Sequence, residues 1–275
     1  MKRSIRIILT LLLAAAFLFS TGQYLLQRQD KVTGNSAYEE ALAIAVSRQQ
    51  DVPRTASAPT EAPVPAMQSQ WVVAAPEEGD PHIRTLEDMD LAALRQVNPD
   101  VLGWILIPDT RISYPLLQGT DNNYYLERTW DRQSNAMGSI FLEYLNQPDL
   151  TDYNTIVYGH NMNDGSMFAG IREFRDQEFW KTHPYVYILS DQGVYRYEIF
   201  SAYQASVKSS TYGLDFSGDG DRAAFLHNAA ANSVIETGIE PELTDRVLTL
   251  STCNGAGYAT RWVVHARLKM VLQPV

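Results

Sequence analysis

The chain has 275 residues, 45% hydrophobic and 11% aromatic, which suits one or two domains with a sizeable core. Residues 31–275 carry 18 basic against 31 acidic side chains, a poor match to nucleic acid, which needs a basic face; the simplest meaning of the acidity is solubility. A single cysteine, Cys253, excludes an internal disulfide and any multi-cysteine zinc site.

The first element is apolar. Ile5–Leu26 is interrupted only by Arg6, Thr10 and the Ser20–Gln23 patch. As a helix it would span roughly 33 Å, about the hydrocarbon thickness of a bilayer. Lys2, Arg3 and Arg6 precede it, which predicts a cytoplasmic N-terminus and an extracytoplasmic remainder. A cleaved signal peptide is the competing reading. However, Ala14-Ala15-Ala16 lies inside the apolar run and no A-x-A site follows it, which favours an uncleaved anchor over residues 1–30.

Tyr38–Gln50 has the composition of a short helix. Pro53, Pro59, Pro63, Pro65 and Pro76 then break any helix, so residues 31–80 read as an extracytoplasmic stalk. The compact domain is expected over 81–275. Its first helix is predicted from an N-cap near Thr85–Asp88 and the spacing of Leu86, Met89, Leu91, Leu94 and Val97. Strands are predicted at 101–107, 112–117, 139–144, 155–158, 185–189, 194–203, 246–252 and 261–271, with helices at 167–174, 176–181 and 222–235. Many short strands and few helices imply a closed or nearly closed β-barrel.

Three local sequences carry chemistry: Thr249-Leu250-Ser251-Thr252-Cys253 and Tyr158-Gly159-His160-Asn161 at strand ends, and Tyr258-Ala259-Thr260-Arg261 opening the last strand. A thiol attacks an acyl group as its thiolate, which an imidazole and a positive charge favour. Arg keeps its proton and can hold an oxyanion. Taken singly, each has a plain alternative: a buried small hydrophobe for Cys253, a turn residue for His160, a surface ion pair for Arg261. The glycine-containing loop 254–260 is short enough to fold two strands back, setting Cys253 beside Arg261. Local spacing says nothing of where His160 lies, because 93 residues separate it from Cys253.

The other histidines compete for the base. His265 shares a strand face with Arg261 but lies ~13 Å along it. His183 and His227 read as structural or exposed, and His82 lies at the end of the linker. Ser251, two residues before Cys253, is either a substrate hydrogen-bonder or a packed hydroxyl. Tyr212 is either a pocket wall or a loop aromatic, and Asn161 either orients His160 or faces solvent.

These residues resemble the sortase transpeptidases, class B most of all. The resemblance rests on TLSTC at 249–253, YGHNM at 158–162 and RWVVHARL from Arg261, with support from 98–118, 121–126, 138–146 and the long insert before TLSTC. It covers roughly 85–275. It implies a mostly β fold, an eight-stranded sortase barrel with N-terminal helices and a helix in the insert before the penultimate strand, behind a single transmembrane anchor.

The resemblance also implies a thiol-dependent cysteine transpeptidase of a Gram-positive cell envelope. Cys253 would attack a Thr–Gly-like bond in the C-terminal sorting signal of a secreted protein and form a thioacyl enzyme. His160 would serve as general acid and base, and Arg261 as the oxyanion and substrate-carbonyl donor. An amine of a peptidoglycan precursor or a pilin would resolve the intermediate, and no metal or organic cofactor is implied. Asn254 stands where an acid is frequent in class B, so no role for an acid is carried over. Another exported Cys–His acyl-transfer enzyme (a peptidase or L,D-transpeptidase) and a non-catalytic anchored binding module are the alternatives.

Overall fold

Short apolar strands expose unpaired edges unless the sheet closes on itself. In the computed structural model, which describes residues 2–47, 80–253 and 259–273 (side chains at 2–10, 27 and 253 excepted), eight strands do close. They are β1 (Val101–Leu106), β2 (Ser113–Leu117), β3 (Ile140–Leu142), β4 (Asn154–Tyr158), β5 (Tyr185–Ser190), β6 (Gly193–Ser206), β7 (Val247–Cys253) and β8 (Thr260–Leu272). Around the barrel the order is β1-β2-β3-β4-β7-β8-β6-β5, and β5 pairs back to β1. The pairs β2–β3 and β4–β7 are parallel; the others are antiparallel. The predicted barrel is therefore present, with strand ends displaced by a few residues.

Two apolar cores flank the sheet. Leu248 and Leu250 of β7 face the barrel interior with Trp104, Ile105 and Val264. Val247 and Val263 belong to a second cluster with Phe200, Tyr203, Phe225 and Leu226. Phe225 and Leu226 come from helix α5 (Asp219–Asn232), so the insert before β7 covers the outer face of the sheet. Strand alternation thus leaves the odd positions of β7 beneath the insert and the even ones inside the barrel.

The N-terminal region departs from expectation. Helix α1 runs unbroken from Lys2 to Val46 and takes in the short helix predicted from Tyr38. Its last turns do not begin a stalk. Ala37, Ala41 and Ala45 repeat every four residues, forming one face, and are buried with Tyr38 against the barrel. Trp130 Nε1 donates to the Ala37 carbonyl at 2.7 Å, and Asn135 Nδ2 to that of Asp30 at 2.7 Å. The folded unit therefore includes part of the segment assigned to the stalk. The remainder of that stalk, residues 48–79, lies outside the described residues. Among the described residues no helix is long and apolar enough to cross a membrane. The span predicted over 5–26 includes residues 5–10, whose side chains are outside the description.

The single helix predicted around 86–97 is two: α2 (Pro81–Glu87) and α3 (Leu91–Val97). The reason is a second cap. Asp80 accepts from the His82 amide and Asp90 from the Ala93 amide, so a new helix starts at Leu91. Helix α4 (Gln177–Thr182) is capped in the same way by Asp176, behind a 3₁₀ stretch, Phe168–Arg175.

Candidate active site

The parallel pairing of β4 with β7 supplies what local spacing lacked. Tyr158 is level with Ser251, and the Gly159 amide continues the ladder by donating to the Ser251 carbonyl at 3.2 Å. His160 is two residues beyond Tyr158, and Cys253 two beyond Ser251. The two therefore occupy equivalent positions at the same end of adjacent strands. On the other side of β7, Cys253 pairs with Arg261 across the antiparallel β7–β8 ladder. The backbone thus carries Cys253 and Arg261 on neighbouring strands, about 4.8 Å apart, with His160 just past the end of β4 on the other side of β7. The Cys253 side chain and residues 254–258 of the following loop lie outside the described residues.

A cavity of about 310 Å³ opens here, lined among others by His160, Arg261, Ser251, Thr252, Tyr212 and Tyr158. His160 is half-buried, and its Nε2 lies 2.6 Å from the Leu126 carbonyl. A carbonyl can only accept, so Nε2 carries a proton and donates in this contact. The ring reaches this carbonyl past Gly138, which sits at φ +61°. A Cβ there would lie 2.6 Å from the Leu126 oxygen and 2.8 Å from His160 Cδ2. Tyr38 of α1 donates to the Gly138 carbonyl at 2.5 Å, so the docked helix braces the floor under His160. Arg261 is half-buried, and its Nη1 donates to the Thr260 carbonyl at 3.1 Å.

The other predicted residues divide. Ser251 is buried, and its hydroxyl shares a 2.9 Å hydrogen bond with the Tyr212 hydroxyl. Tyr212 stacks on Tyr158 with ring centroids 6.5 Å apart and planes 16° apart. Both line the cavity. Asn161 does not; it bridges to Met167 in a loop. Of the rival histidines, His265 is fully buried between Thr249 and Tyr203, four positions inside β8 from Arg261. His183 stacks on Phe179, and His227 is exposed on α5.

Sequence reasoning missed a buried acid behind the cavity-lining Tyr158 and Asn122. Glu143 is 5% exposed and accepts from Tyr158 Oη at 2.9 Å and Asn122 Nδ2 at 2.6 Å. Burial, then the Glu143 charge, hold the Tyr158 phenol well above its usual range. Asn122, Leu126 and Phe141 also line the cavity. Only the segments 121–126 and 138–146 hinted at them, and no single residue there has a chemistry that announces itself.

Comparison with known proteins bears on the same region. The sortase domain family matches residues 105–269. Sortase B of Listeria monocytogenes is 38% identical over 165 residues, 60% of this chain and 67% of the relative. Sortase B of Staphylococcus aureus is 35% identical over 178 residues, 64% of this chain and 73% of the relative. Among solved structures, the Staphylococcus aureus sortase B–substrate complex superposes with a TM-score of 0.63 at 34% identity, covering 66% of this chain and 85% of that one. Sortase B from B. anthracis in complex with AAEK1 gives 0.60 at 38% identity, covering 65% and 83%.

Proposed function

The chain belongs to the sortase family, most like class B, and is a cysteine transpeptidase; on that footing we propose that Cys253 is its nucleophile, His160 its general acid and base, and Arg261 its oxyanion donor. The observation that supports this reading is the register: Cys253 pairs with Arg261 across β7–β8, Tyr158 and Ser251, each two residues before His160 and Cys253, pair across β4–β7, and His160 and Arg261 line one cavity.

The Cys253 thiolate attacks the carbonyl carbon of a Thr–Gly-like peptide bond in a C-terminal sorting signal. The carbonyl π electrons move onto oxygen, and Arg261 donates hydrogen bonds to that oxyanion. When the C–N bond breaks, its electron pair leaves with the amine and takes a proton from His160. A thioacyl enzyme remains. The amine of a second substrate attacks it, His160 recovers the proton, and the thiolate departs. Ser251 and Tyr212 contact the bound signal from the cavity wall. Asn161, outside the lining, orients the loop after His160 rather than the substrate.

We further propose that 5–26 anchors the protein in the membrane of a Gram-positive envelope, N-terminus inside and the barrel outside. Lys2, Arg3 and Arg6 support that orientation. Leu11, Phe17, Leu18 and Phe19 support the anchor, each more than 60% exposed on α1. The acceptor is an amine of a peptidoglycan precursor or of a pilin lysine. Family membership sets aside the alternatives of another Cys–His enzyme and of a non-catalytic module.

The test is a sorting-signal peptide library incubated with and without candidate amines and read by mass. Wild-type protein forms cleaved and amine-linked products. Cys253→Ala forms none, and Arg261→Ala loses about 10²–10³-fold in rate, the usual effect of removing an oxyanion donor. Full activity in Cys253→Ala would falsify the mechanism.

A further inference from the structure

A closed ring of side-chain hydrogen bonds lies under the insert that carries Tyr212. Asn154, the first residue of β4, donates both Nδ2 protons to main-chain carbonyls, that of Thr211 at 3.2 Å and that of Gly213 at 2.9 Å. These are the two carbonyls flanking Tyr212. With Nδ2 so engaged, Asn154 Oδ1 faces Thr249, whose Oγ1 donates to it at 2.6 Å. Thr249 has one hydroxyl proton and has now used it. Its 2.9 Å contact with His265 Nδ1 therefore has the imidazole as donor. Nε2 of the neutral ring must then accept, and Tyr203 donates to it at 3.1 Å. The Tyr203 oxygen accepts in turn from Thr211 Oγ1 at 2.8 Å.

The ring starts at the Thr211 hydroxyl and returns to the Thr211 carbonyl, with one possible direction at every link. Asn154, Thr249 and His265 are each no more than 1% exposed, so no solvent exchange competes for these bonds. A neutral His265 is required, and burial holds its pKa down at about 3. Asn154 itself does not touch the reacting atoms. It lies six residues before His160 along the strand direction, roughly 20 Å.

We infer that Asn154, aligned by Thr249 and His265, is a positioning residue that holds Tyr212 against the substrate cavity. The inference rests on the reading above that Tyr212 contacts the sorting signal. It ties the insert conformation to strand β4, beyond whose end His160 lies, in addition to the insert's own turn hydrogen bonds.

Asn154→Asp keeps the size and the oxygen that Thr249 needs, but turns an acceptor toward two carbonyls. Thr249→Val opens the ring at another link without changing shape, and serves as the second variant. In each, KM for a sorting-signal peptide rises about tenfold, as for one lost buried hydrogen-bonding link, with kcat within about twofold. Labelling of Cys253 by a methanethiosulfonate keeps its wild-type rate. Amide exchange over 210–214 accelerates while β4 and β7 stay protected. Adding Tyr212→Ala to Asn154→Asp raises KM no further. Unchanged exchange over 210–214 in both variants, or KM effects that multiply in the double variant, overturn the inference alone. A Tyr212→Ala enzyme with wild-type KM overturns the reading of Tyr212 itself, and the inference falls with it.

Discussion

His160 and His265 put the same side chain in opposite surroundings within one sheet. His160 lies just past the end of β4, half-buried, with one nitrogen committed to the Leu126 carbonyl and its ring at a cavity wall. His265 lies inside β8 with no exposed surface. Phe200, Tyr203 and Phe225 surround its ring at centroid distances of 5.9, 5.4 and 5.5 Å. Thr249 and Tyr203 hold its two nitrogens. A histidine past a strand end at a cavity wall stays within reach of solvent and ligands. A histidine inside the strand resists taking up a proton, because a buried charge has no solvation and no counter-ion. The difference is one of position along the strands, not of residue type.

The strongest way to break this contrast is to remove the two rings in turn. His160→Ala is expected to lower kcat/KM for a sorting-signal peptide by about 10³-fold, within the range for a lost general acid–base group. His265→Gln retains a donor and an acceptor and is expected to keep kcat within a factor of a few, at the expense of stability. The reverse pattern in a peptide-cleavage assay would move the base to His265.

The contrast is sharpened by acid. The folded-state pKa of His265 is about 3, below the unfolded value of 6.5. The unfolded chain therefore binds the extra proton between those limits. The contribution is full above about pH 6.5 and is lost as pH falls toward 3, by up to roughly 1.4 kcal/mol per unit. Urea denaturation across this window should show wild type and His265→Gln converging as pH drops. Parallel curves would mean that His265 is solvated in the fold.

The smallest expected effect concerns the support of His160. Gly138→Ala forces a side chain into φ +61° and toward His160 Cδ2. The conformational cost is about 1–2 kcal/mol, and the shifted imidazole should lower kcat about tenfold. Thermal denaturation and steady-state kinetics together check it; a stable, fully active variant would show that the ring has room to spare.

Part of this site could be read directly from the chain. Cys253 and Arg261 flank a short glycine-containing loop between two apolar alternating runs, and such a loop brings its ends together. The strands of the barrel were also legible, because β-branched and aromatic residues alternate over short runs bounded by turn residues. Glu143 was not legible, since an isolated Glu in a short strand segment reads as solvent-facing until Tyr158 and Asn122 are seen to meet it. The packing of the end of α1 on the barrel was not legible either. Ala37, Ala41 and Ala45 show a repeat, but a run of small residues gives no sign of what it will pack against.

The sequence by itself determined the reactive residue types, the strands that carry them and the Cys253–Arg261 pairing, because all of these follow from local periodicity and a short loop. Only the tertiary structure decided that the strand before His160 pairs with that of Cys253, that His265 is sealed away, and that α1 braces the floor of the site. The physical reason is that a parallel pair such as β4–β7 is joined through a long stretch of chain. Alternation then dictates which face a side chain takes, while the partner strand and its register are chosen by closing the barrel around a common core.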